Sequence, residues 1–175
     1  MAEWWKNGNK IPFDNINFQT ILRFYLFECP VTTESVKKKK KIKKHVSARG
    51  IPLERQGWSG NALNTLLAAM KRNASSSLKY MVVAPSSDVG TVVRNEEALS
   101  TQSDPNFELL VFKENSSLGK TKSIFYMIRN AFAHGSFSIV ETNNGTIYYF
   151  QSEKDGETKS QIRLKEKTLF RNLKS

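Results

Sequence analysis

The chain has 175 residues, 39% of them apolar, with 27 Lys and Arg against 16 Asp and Glu for a net charge of +11. That apolar share excludes a disordered chain, and the length suits one domain over 1–175 with a buried core. Cys29 is the only cysteine, which excludes internal disulfides and cysteine-clustered zinc sites.

Residues 1–13, MAEWWKNGNKIPF, lack the apolar segment of a signal peptide. No apolar run approaches the roughly 20 residues of a membrane span. The expectation is a soluble cytoplasmic protein without membrane association. Trp4 and Trp5 suit anchoring of the N-terminus to the core, with base stacking as the alternative. Residues 14–29, DNINFQTILRFYLFEC, predict a helix capped by Asp14 and stopped by Pro30. Its apolar residues cover most of the circumference, as in a central helix.

Lys37, Lys38, Lys39, Lys40, Lys41, Lys43 and Lys44 follow, supplying seven of the eleven net positive charges within 37–44. Neighbouring like charges oppose a helix, so this run predicts a loop or a frayed short helix. A basic patch favours polyanions, RNA among them, and a solvated face has the same composition. His45 comes next and reads as a surface residue. Residues 48–58 are turn-rich, and GWSG at 57–60 lacks the Lys-Ser/Thr ending of a phosphate loop.

A second helix is predicted over 59–73, with Leu63, Leu66, Leu67 and Met70 on one face. LKYMVVAP at 78–85 and NFELLVFK at 106–113 predict strands, and the polar stretch between them a surface excursion. A third helix covers 116–135, its apolar stripe formed by Ile124, Phe125, Ile128 and Phe132, with Gly135 at the left-handed position that ends many helices. The period then switches to two. A strand meander is predicted over 136–164, with NNG and KDG as its turns, before a short amphipathic piece, EKTLFRNL.

The chemistry concentrates on the third helix. At about 100° per residue, Arg129, Asn130 and His134 lie near 100°, 200° and 240° from Ile128, away from the core stripe. Asn130 and His134 are i, i+4 neighbours. His134 occupies the last turn, where the negative end of the helix dipole favours a cation. An imidazole exchanges protons near neutral pH, a guanidinium grips phosphate oxygens, and an amide orients either. RNA cleavage without a metal needs these groups: a base for the 2′-hydroxyl, an acid for the leaving 5′-oxygen and a cation for the phosphorus centre. One imidazole cannot serve both ends of an in-line displacement, so a symmetric dimer along this helix is expected. The structural alternative is that Arg129 and His134 merely cap carbonyls.

The segment RNAFAH, 129–134, resembles the Arg-x4-6-His motif of the HEPN superfamily (higher eukaryotes and prokaryotes nucleotide-binding domains). The flanks IRNAFAHG and IRLKEKTL, 162–169, resemble its plasmid- and prophage-associated branch. The resemblance implies an α+β fold that is mainly α, a HEPN-like helical bundle with an antiparallel strand meander added after the motif helix. It implies a metal-independent endoribonuclease without cofactors, a toxin or anti-phage effector, with Arg129 and His134 catalytic and Asn130 supporting. A homodimer through the motif helix and a regulatory or antitoxin partner follow as expectations. The alternative is a non-catalytic module that holds RNA or a partner protein. Glu28, Asp104, Glu108 and Glu114 show no metal-site spacing, and no metal is expected.

Overall fold

The computed structural model describes residues 11–28, 30–37, 40–47, 62–74, 77–104, 107–113 and 119–170. Helix α1, Ile16–Arg23, starts at Asn15, whose Oδ1 accepts from the backbone N–H of Asn17 at 2.8 Å and Phe18 at 3.1 Å. The cap is therefore Asn15 rather than the expected Asp14. A π-helical turn, Phe24–Glu28, extends α1 towards Pro30. Strands β1, Pro30–Lys37, and β2, Lys40–Ser47, then pair as an antiparallel hairpin.

The described residues of the lysine run are thus strand rather than loop or helix. Lys37 ends β1, and Lys40, Lys41, Lys43 and Lys44 lie on β2, as does His45. Lys38 and Lys39 lie outside the described residues, as do Trp4, Trp5, Cys29, Glu114 and the stretch 48–61. An extended chain, rising about 3.3 Å per residue, spreads consecutive like charges further apart than a helix rising about 1.5 Å.

After α2, Ala62–Ala74, the chain builds its main sheet. Strand β3, Leu78–Val83, leads through α3, Val89–Ser103, to β4, Glu108–Lys113, which lies parallel to β3. Helix α4, Gly119–His134, precedes the meander of β5, Phe137–Thr142, β6, Gly145–Lys154, and β7, Glu157–Lys165. A final turn of helix, α5, covers Glu166–Phe170. The strand order is β3-β4-β7-β6-β5, antiparallel except for the β3/β4 pair.

This architecture overturns the expected helical bundle. A mixed five-stranded sheet is the spine, and helices pack on both of its faces. The stretch expected to be an excursion contains α3, capped by Asp88, whose carboxylate accepts from the N–H groups of Gly90 and Thr91. Val89 and Val93 are its fully buried apolar residues, too few to mark a helix in a polar sequence. The carboxyl of Asp88 lies below its ordinary value, chiefly because the Thr91 hydroxyl donates to it.

The alternating faces of β4 explain why one unbroken apolar strand was needed. Leu110 and Phe112 enter the larger core with α1, α2, α4 and α5, while Leu109 and Val111 enter the smaller one beneath α3. In the larger core, Phe132 of α4 meets Phe150 of β6 edge-on at 5.0 Å and Phe137 of β5 at 4.9 Å. Tyr25 stacks on Phe125 at 5.6 Å, joining the π-turn to the same helix. At the start of α5, Glu166 Oε1 accepts from Asn17 Nδ2 at 2.7 Å and its Oε2 from the Tyr148 hydroxyl at 3.2 Å, tying α1, β6 and α5 together. Burial pushes the Tyr148 phenol well above its usual range, so it stays a donor.

Phe132→Ala is expected to lower the unfolding free energy by about 3–5 kcal/mol in urea titrations, because the ring leaves a cavity between helix and sheet. A loss below about 1 kcal/mol would show that the seating of α4 does not rest on this ring.

Candidate functional site

The last turn of α4 closes in a Schellman motif. Gly135 has φ +68°, its N–H donates to Phe132 O at 3.3 Å, and the N–H of Ser136 donates to Ala131 O at 2.8 Å. Backbone groups therefore satisfy these carbonyls, and the His134 ring is not needed as a cap. His134 and Asn130 are exposed, and neither side chain is hydrogen-bonded to another described residue.

Burial of Ile124, Ile128, Ala131 and Phe132 turns Asn130 and His134 outward, while Ser123 and Met127 on the same side are themselves buried. Ser123, Tyr126, Met127, Asn130 and His134 on that side line a cavity of about 690 Å³. Its volume falls within the range of ligand pockets, roughly 300–1,000 Å³. The other wall comes from the sheet. Pro85 follows β3, Lys113 ends β4, Lys154 and Asp155 close β6, and Lys159 lies near the start of β7. The cavity is thus at the carboxyl ends of the two parallel strands, where α/β sheets commonly bind ligands.

Two local devices shape the sheet wall. The β6/β7 ladder shifts register between Ser152 and Glu153, a bulge that bends the hairpin at the cavity. Beyond it, Asp155 at φ 55° and Gly156 at φ 74° make a two-residue turn with both central residues left-handed, as the KDG signal anticipated.

The three residues singled out in the sequence do not all meet. Asn130 and His134 share the cavity, whereas Arg129 is absent from its lining. Arg129 is half-buried, and its Nε is buried without a hydrogen-bond partner among the described residues. One helical step of about 100° separates it from Asn130, and here that step takes its side chain off the cavity wall. The basic run lies on the separate β1/β2 hairpin. Of the expected metal-free set, Glu108 is fully buried and accepts from Ser77 Oγ at 3.3 Å and the N–H of Lys165 at 2.9 Å, a structural role. Among the described residues, no three His, Cys, Asp or Glu converge as a metal site, and no helix is long and apolar enough to cross a membrane.

The cations that do reach the cavity went unnoticed in the sequence. Lys113 has 9% of its side chain exposed, and its Nζ donates to Pro85 O at 2.7 Å and to Glu157. Lys159 donates to the other oxygen of the same carboxylate. These two ammonium groups hold the Glu157 carboxyl below its ordinary value, Lys113 most of all. A lysine directly after the apolar run LLVF at 109–112 was the available signal. No protein-family model, curated protein or solved structure matches the chain.

Gly135→Ala has open space around its Cβ, so the cost is backbone strain alone. Calorimetry is expected to show a loss of about 1–2 kcal/mol, the penalty of a left-handed L-residue. Unchanged stability would mean that the helix ends without needing this conformation.

Proposed function

We propose that the cavity beside α4 binds RNA and cleaves it without a metal, and that the substrate is cytoplasmic. The observation that carries this reading is the placement of His134, free of any capping duty, with Asn130 on one wall and Lys113, Lys154 and Lys159, interleaved with Glu153 and Asp155, on the wall opposite. An uncommitted imidazole and lysines lining one open cavity would provide proton transfer and negative-charge stabilisation in one place.

In the reaction proposed, His134 takes the proton from a 2′-hydroxyl as that oxygen attacks phosphorus. The P–O5′ bond breaks, and a second imidazole gives its proton to the departing oxygen. The products are a 2′,3′-cyclic phosphate and a 5′-hydroxyl. Asn130 orients the ring or donates to a phosphate oxygen. The second imidazole comes from another copy of the chain, apposed along the outer stripe of α4 that includes Tyr126, Arg129, Asn130, Ala133 and His134. Across such an axis, Arg129 reaches the phosphate held by the partner, which reconciles its motif position with its absence from its own cavity. The lysines of β2 attract RNA without regard to sequence. A role as a toxin or anti-phage effector, restrained by a partner protein, accords with such an activity.

The position of Arg129 also favours a second reading, a module that holds RNA without cutting it. End-group analysis separates the two. RNA incubated with the wild-type chain is expected to acquire cyclic phosphate ends, and His134→Ala to slow cleavage at least about 100-fold with little change in RNA affinity. Equal rates in the two proteins, cutting of an all-deoxy substrate, or no cleavage at all would overturn the nuclease reading.

A further inference from the structure

We propose that Lys113 and Lys159 form the seat for an RNA backbone phosphate in this cavity, and that Glu157 is the counterion resident there until the phosphate arrives. The inference rests on the reading of the cavity as an RNA site and assigns the phosphate position within it.

The argument begins with register. The β4/β7 register ends with Phe112 opposite Ser160, and Lys113 and Lys159, the next residues on the two strands, both reach one carboxylate. Like charges directly opposite on adjacent strands repel. Lys113 is also nine-tenths buried, and a buried ammonium requires an anion or a full set of acceptors. One acceptor is the carbonyl of Pro85, held at 2.7 Å by the turn that follows β3. The anion is Glu157, whose two oxygens divide between the two lysines.

Glu157 differs from its partners in two respects. Its side chain is 45% exposed, and it stands on the first residue of β7, beside the Asp155–Gly156 turn. Both lysines line the cavity, whereas Glu157 does not. A pair of ammonium groups is thus built into the sheet by residues that line the cavity, alongside Glu153 and Asp155, and an exposed carboxylate neutralises the pair from the edge. A phosphodiester oxygen offers the same charge and acceptor geometry as the carboxylate oxygen. Its entry from the cavity draws the lysines away from Glu157 and leaves that side chain to solvent. The phosphate then lies between the sheet wall and α4, facing His134 and Asn130.

Binding of inorganic pyrophosphate and of a fluorescein-labelled 2′-O-methyl oligoribonucleotide, which cannot be cleaved, tests this at fixed ionic strength. Glu157→Gln is expected to tighten both by roughly threefold to tenfold, since it removes a competing anion and keeps the shape. Lys113→Met is expected to weaken both at least about tenfold. Lys79→Gln, an exposed lysine on β3, serves as the control and is expected to change neither. Loss of the Pro85 contact could unfold Lys113→Met, but a gain of affinity in Glu157→Gln cannot arise from unfolding. Unchanged or weaker binding in Glu157→Gln overturns the proposal, and so does tightening for pyrophosphate alone, which would assign the seat to small phosphates. Cleavage is read separately. A wild-type chain that cuts RNA while Glu157→Gln leaves affinity unchanged sinks the seat and spares the nuclease reading. Tightened binding by a chain that never cuts does the reverse.

Discussion

The seating of α4 on the sheet governs everything else. Phe132 lies edge-on to Phe150 and Phe137, and Ile124 and Ile128 are fully buried beside it. A helix repeats about every 3.6 residues, so fixing that stripe fixes the direction of every other side chain on it. Asn130 and His134 are thereby aimed into the cavity, and Arg129 is set one step aside. No hydrogen bond is needed to orient the pair, because the aromatic contacts beneath do so through the backbone. The Schellman closure at Gly135 then ends the helix without recruiting the imidazole.

The opposing wall depends on a different balance. Three strand ends bring Lys113, Lys154 and Lys159 to the cavity, Glu153 and Asp155 line it beside them, and Glu157 pairs with two of the lysines from an exposed position. The main sheet can hold Lys113 almost out of solvent only because a carbonyl and a carboxylate accept from it. The hairpin that carries Lys40, Lys41, Lys43 and Lys44 forms a sheet of its own. In the proposed account the two basic regions therefore act differently. Clustered like charge raises encounter rates with a polyanion and is screened by salt, while a desolvated ammonium fixes one oxygen in place.

Most of the individual elements could be read from periodicity and turn chemistry. The stripe over Ile124, Phe125, Ile128 and Phe132, the Gly135 cap and the Asp155–Gly156 turn all express local preferences that tertiary packing does not contest. The architecture could not be read in this way. The Arg-x4-His resemblance drew attention to a bundle, yet pairing of β4 with β3 on one side and β7 on the other makes a sheet of segments up to 57 positions apart, as the Glu108–Lys165 contact shows. Helix α3 was hidden by its polar outer face, and the basic hairpin by lysines that argue against regular structure of any kind. At the site, Asn130 and His134 were visible as an i, i+4 pair. The cluster of Lys113, Lys159 and Glu157 was not, because strand register alone brings Lys113 to the i, i+2 pair of Glu157 and Lys159.

The central claim is that the phosphate of RNA lies between α4 and the carboxyl edge of the sheet. Nuclear magnetic resonance of the chain, titrated with an uncleavable 2′-O-methyl oligoribonucleotide, tests it most directly. The account predicts that the His134 ring, the Asn130 amide and the Lys113 and Lys159 ammonium signals shift together and saturate at one stoichiometry. Shifts confined to the β1/β2 hairpin, with these four side chains unmoved at saturation, would contradict it.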